Sequence, residues 1–135
     1  MKNFMINKKL LFILRVYKLI MNLNRISLYR AVSEEEIISV RMNNAFIPHP
    51  EHMAGKWFAE NVYDAVKWGK LFYTWDQKTF YIILIKLPKQ IADLMMRHPR
   101  LNGIGPSRYA EGSVLESINI SINHIEVMDF IPFNG

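Results

Sequence analysis

The sequence predicts a single α+β domain, on three observations. β-prone runs and helical patterns are mixed along the chain without the steady alternation of a doubly wound sheet and without an internal repeat. Of the 135 residues 50% are hydrophobic and 21% charged, with 3 Trp, 6 Tyr and 8 Phe, which places the chain among globular proteins and outside the disordered class. A chain of this length buries about two-thirds of its unfolded surface, so it needs no covalent or metal staple. It has no cysteine, which excludes disulfide scaffolds, thiol nucleophiles, iron–sulfur clusters and thiolate zinc sites and leaves the redox compartment open.

Residues 1 to 25 form a leader that contains Lys2, Lys8, Lys9, Arg15, Lys18 and Arg25 and no acidic residue. The net charge of +5 therefore belongs mainly to this end, and the body is nearly neutral. Leu10 to Leu14 is too short for the core of a signal peptide or a membrane span, and no A-x-A-like site follows. No standard secretion signal and no stable membrane span are expected, so the location is cytoplasmic or reached by delivery into a target cell. On a helical wheel Lys8, Arg15 and Lys18 gather on one side, a pattern compatible with a basic amphipathic helix on a membrane surface. The alternatives are a passively packed helix or a non-native extension ahead of a start at Met21. The domain proper spans residues 26–135.

Ile26 to Val32 reads as a strand, followed by a helix that Ser33 caps and Glu36 closes with a capping box. Ile37, Ile38, Val40 and Met42 give that helix its apolar stripe, and Asn43-Asn44 end it. A loop runs through Pro48-His49-Pro50 to about Gly55. Lys56 to Ala59 reads as a short buried strand. Asn61 then caps a second helix, with Asp64 at its third position, Val62 and Val66 inward and Gly69 as terminator. Leu71 to Trp75 and Phe80 to Leu87 read as a hairpin around Asp76-Gln77-Lys78-Thr79. Pro88 opens a third helix carrying Ile91, Leu94 and Met95 and ending before Pro99. Asn102 to Pro106 is a glycine-bearing loop. Ile118, Ile120 and Ile122 alternate as a strand should, with a bulge or turn near Asn123 before Ile125 and Val127.

The phosphate-binding G-x-x-x-x-G-K-[ST], the dinucleotide G-x-G-x-x-G, H-E-x-x-H and G-x-S-x-G are all absent, which removes the common enzyme classes that carry them. His49 and His52 flank Pro50 in a loop rather than on one helix face, so no metal site is expected. Gly103-Ile104-Gly105-Pro106 has backbone amides that suit a phosphate, but its spacing equally suits a plain turn.

The order of Leu28-Tyr29-Arg30, Lys56-Trp57-Phe58-Ala59 and Gly103-Ile104-Gly105-Pro106-Ser107-Arg108-Tyr109-Ala110-Glu111 resembles the ADP-ribosyltransferase-like domains at the ends of bacterial polymorphic toxins. The resemblance spans roughly Ile26 to Phe133. It implies a split β-sheet core with short flanking helices, and NAD as co-substrate of a transferase or NAD glycohydrolase. It also implies a macromolecular acceptor and a neutralising immunity protein. The family carries an arginine on its first core strand, Ser-Thr-Ser or an aromatic on the second, and a glutamate near a later strand. This chain departs from the family in having Phe58-Ala59-Glu60, with no hydroxyl, in the second motif.

Cleaving the bond between nicotinamide and ribose develops an oxocarbenium-like charge that a carboxylate stabilises. A guanidinium grips pyrophosphate or ribose oxygens through its fork, and an aromatic ring stacks on nicotinamide. On the resemblance, Arg30, Trp57, Phe58 and Tyr109 bind the cofactor, and Glu111 or Glu116 is the catalytic carboxylate. Structural explanations stand beside these. Trp57 and Phe58 point to opposite faces of a strand, and Phe58 is the better core residue. Glu116 lies three residues after Ser113 in a capping-box pattern, which leaves Glu111 as the preferred catalytic group. Two other classes remain: a non-catalytic nucleotide- or protein-binding module of the same fold, or a basic ribonuclease or nucleic-acid binder using His49, His98 or His124.

Overall fold

The computed structural model of the protein describes residues 7–48 and 55–131. The chain forms α1 (Lys8–Leu23), β1 (Arg25–Ser33), α2 (Glu34–Asn43), β2 (Lys56–Ala59), α3 (Val62–Tyr73), β3 (Phe80–Pro88), α4 (Lys89–Ala92), β4 (Met96–Leu101), β5 (Gly105–Ala110), α5 (Gly112–Ser121) and β6 (Glu126–Ile131). The strands make one antiparallel six-stranded sheet in the order β4-β5-β2-β1-β3-β6. The fold is thus α+β, as the mixed patterning predicts.

Alternation along the strands divides the core between the two faces. On one face Leu28, Val32, Phe58, Ile83, Ile85 and Leu87 pack with Ile37 and Val40 of α2, Ala92 of α4, and Leu115 and Ile118 of α5. On the other, Ala59, Phe80 and Ile82 pack under Ala65 and Trp68 of α3. The caps form where the sequence places them: Ser33 Oγ accepts the Glu36 N–H at 3.1 Å, and Asn61 Oδ1 accepts the Asp64 N–H at 2.9 Å. Asn44 ends α2 in the left-handed region, at φ 47°. Along α2 only Ile37 and Val40 are buried, while Ile38 and Met42 of the expected stripe face solvent.

Several expectations about the elements are corrected. Gly69 does not end its helix: α3 continues to Tyr73, and Gly69 is there because a Cβ would run into the Phe80 ring. Leu71 to Trp75 is accordingly no strand, since Leu71, Phe72 and Tyr73 complete α3 and Tyr73 stacks on Phe80 with ring centroids 5.8 Å apart. The helix after Pro88 is a single turn, α4, and Met96 to Leu101 is β4, an edge strand in which Pro99 needs no ladder donor. Ile118 and Ile122 lie on or just beyond α5 rather than on a strand; their spacing of four buries both, while Ile120 is exposed.

The capping box at Ser113 is corrected with α5. The helix starts at Gly112 behind Glu111, so Ser113 lies inside it and its carbonyl accepts the Ser117 hydroxyl. The Asn102-Gly103 loop is the turn of a β4–β5 hairpin. Both residues have positive φ (54° and 71°), and the Ile104 N–H closes the turn on the Leu101 carbonyl at 3.0 Å.

Candidate functional site

The site lies at a seam in the sheet. β1 pairs with β3 over its whole length, from Arg25↔Pro88 to Ser33↔Phe80, but with β2 only at Tyr29↔Ala59. β2 in turn pairs along its whole length with β5, from Lys56↔Ala110 to Ala59↔Ser107. One residue past the β1–β2 bridge, the side chain of Arg30 takes the place of the ladder. Its Nη1 donates to the Trp57 carbonyl at 3.0 Å, and its Nε and Nη2 donate to the two carboxylate oxygens of Glu36 at 2.7 and 2.8 Å. Lys56 Nζ lies 3.6 Å from the same carboxylate.

This cluster is largely buried, and its charges set its protonation. Burial pushes the Glu36 carboxyl up, but the hydrogen bonds and charge of Arg30, with the charge of Lys56, outweigh it and hold the group below its ordinary value. Burial, with the nearby Arg30, lowers the Lys56 ammonium despite the opposing pull of Glu36. Arg30 spends three of its five N–H donors on these bonds.

A cleft of about 340 Å³ opens on the α3 side of the seam. Its walls include Tyr29, Arg30, Trp57, Trp68, Phe72 and Tyr73, and Leu101 and Asn102 of the β4–β5 hairpin stand at its rim. The Trp68 indole N–H is sealed from solvent and has no hydrogen-bond partner among the described residues. The Tyr73 hydroxyl is pushed up chiefly by burial. Trp57 also touches Tyr109, with ring centroids 4.8 Å apart, and the Tyr109 hydroxyl donates to Glu111 Oε2 at 2.8 Å. Burial first, then that bond to Glu111, raises the Tyr109 hydroxyl.

The structure therefore joins Arg30, Trp57, Tyr109 and Glu111 in one chain of contacts, with Glu111 itself exposed at its end. Phe58 and Glu116 stand outside it. Phe58 is 1% exposed and meets Phe46 edge-on across 5.1 Å in the opposite core. Glu116 is exposed on α5, whose buried residues pack in that same opposite core. Ala59 lies on the cleft wall. The hydroxyl of its cross-strand partner Ser107 is fully buried and donates to the Phe58 carbonyl at 3.0 Å.

Glu60, next to Ala59, belongs to a separate ionic cluster. It receives Arg97 at 2.7 Å and Arg108 at 3.0 Å, and Arg108 also reaches the Ala92 carbonyl at 2.9 Å, so the cluster fastens the outer hairpin to α4. His49 and His52 lie outside the described residues. Among the described residues no group of three histidine or acidic side chains could hold a metal ion, and no helix is long and apolar enough to cross a membrane.

Sequence reasoning missed Glu36, Lys56, Trp68, Phe72 and Tyr73. Glu36 was already accounted for as a capping residue. Trp68 and Phe72 stand four apart, a helical signal that reading Leu71 to Trp75 as a strand conceals. Comparison with protein-family models, curated proteins and solved structures finds no match to this chain.

Proposed function

We propose that this chain is a NAD-consuming ADP-ribosyltransferase or NAD glycohydrolase of the toxin-effector type. The observation that carries the reading is the aromatic cleft at the seam where β1 and β2 part, with Arg30 fixed on its wall. The indoles and phenols of the cleft offer stacking faces for a flat heterocycle such as nicotinamide or adenine. The guanidinium of Arg30 suits a phosphate or ribose oxygen. The unpaired N–H of Trp68 is a donor that a ligand oxygen would satisfy once the wall parts.

In the reaction the bond between ribose C1′ and the nicotinamide nitrogen breaks, and its electron pair leaves with nicotinamide. The oxocarbenium-like sugar is stabilised by the Glu111 carboxylate and captured by water or by a nucleophile of a macromolecular acceptor, which gives up its proton. Because nicotinamide leaves in either case, its release from NAD by the purified protein is the direct test. Glu111→Gln should reduce that release on the order of a hundredfold.

A second reading is favoured by a specific observation. The fork of Arg30 is already occupied by Glu36, and the second motif has Ala59 where the family carries a hydroxyl. Both suit a module that binds a nucleotide without turning it over. Saturable NAD binding with no nicotinamide release from NAD in the presence of any acceptor would establish that reading over the first.

A further inference from the structure

We propose that α1 is an interfacial helix that docks the protein on a bilayer carrying anionic headgroups. At about 100° per residue, Ile20, Ile13, Tyr17, Leu10 and Leu14 fall within roughly 120° of one another, while Lys18, Arg15 and Lys8 fall within about 80° on the far side. Those five apolar residues are 48% to 59% exposed, and Phe12 and Leu19 beside the basic stripe are more exposed still. No described residue of α1 is buried. The attachment to the body is at its end: Asn24, the C-cap, accepts the Lys89 N–H at 2.7 Å, and Ile20 and Asn24 border a small hollow with Pro88 and Asp93.

Charge selects the occupant of this face. The helix carries Lys8, Lys9, Arg15 and Lys18, and residues 1 to 25 contain no acidic group to offset them, so the complementary surface is anionic and apolar at once. An anionic bilayer offers both, phosphates at the depth of the lysine heads and acyl chains beneath. Lys9 lies beside the apolar arc, where its long stem can follow the apolar surface and lift the ammonium to the headgroups. Sixteen residues give a helix of about 24 Å, short of the roughly 30 Å hydrocarbon core, so the helix rests on the membrane rather than spanning it. The inference is independent of the cleft.

The test is co-sedimentation of the full chain with vesicles of phosphatidylcholine alone and of phosphatidylcholine mixed with phosphatidylglycerol, at low and high salt. We expect partition onto the mixed vesicles at least about tenfold stronger than onto the neutral ones, weakened by salt. Replacing Lys8, Arg15 and Lys18 together by Gln, or Ile13 and Leu14 together by Ser, should each cut that partition about tenfold or more, with unchanged melting temperature. Equal partition onto both vesicles, or full binding by the Gln variant, overturns the proposal. So does binding to duplex DNA without vesicle binding. A concentration-dependent dimer that ignores vesicles and is lost in the Ser variant also overturns it, and would assign the apolar face to a second copy.

Discussion

Glu36 does two jobs with two ends of one residue. Its backbone N–H completes the Ser33 cap, which frees its carboxylate to hold the Arg30 fork. Glu36→Gln should therefore cost about 3 kcal/mol or more, because it leaves Arg30 and Lys56 as neighbouring cations with no anion between them. Arg30→Lys should also destabilise the protein, since an ammonium cannot replace a bidentate pair and a bond to the Trp57 carbonyl at once. Urea unfolding measures both. The Glu36 carboxyl is held below its ordinary 4.5 in the folded chain, so its stabilising share is complete above that value and is lost as pH falls through the lower folded value. Stability of the parent should fall across that acid window, and Glu36→Gln should show a flatter profile there.

The two candidate carboxylates part at the same scale. Glu116→Ala should change stability by no more than about 0.5 kcal/mol, because α5 has no capping box for it to close. Glu111→Gln should leave the fold intact while reducing nicotinamide release. Melting temperature and turnover measured on both variants decide the assignment, and loss of turnover in Glu116→Ala alone would reverse it. Trp57, Phe58 and Tyr109 were distinguishable in the sequence by strand parity and by their place in short motifs. The partner of Arg30 was not, because a side chain that satisfies one local pattern gives no sign of a second, nonlocal one.

Among the elements, α2, β2 and the start of α3 were legible because each begins at a cap or a run that local chemistry defines. The errors fell where periodicity is ambiguous. Residues four apart share a face on a helix and also have equal parity on a strand, so Ile118 and Ile122 fit either. Asn102-Gly103 carries a strong hairpin signal, yet β4 beside it contains Pro99 and has five exposed residues, so no apolar alternation marks it as a strand. Gly69 shows tertiary packing overriding local preference. Alanine has a helix propensity about 1 kcal/mol better than glycine, but Gly69→Ala should destabilise the protein by about 1–3 kcal/mol, because the new methyl group collides with Phe80 in a packed core. Denaturant titration tests the sign, and a stabilised variant would mean that the Phe80 ring yields at no cost.

At the scale of the whole molecule, the α+β class was legible from composition and mixed patterning, while the division of the core between two faces and the order of strands were not, because both depend on pairings between distant segments. The sheet that results is two ladders, β1 with β3 and β6 beyond it, and β2 with β5 and β4 beyond it, joined by one bridge and one arginine. The core cluster containing Leu28, Phe58 and Ala110 crosses beneath that join, and the cleft lies on its other side. Amide hydrogen exchange should register this as a discontinuity. Protection should run unbroken along β1–β3 and along β2–β5, and the amides of β1 and β2 that face each other beyond Tyr29 and Ala59 should exchange far sooner. A ligand that fills the cleft would slow those amides before any others, so the seam supplies an isotopic readout of occupancy that needs no knowledge of the reaction.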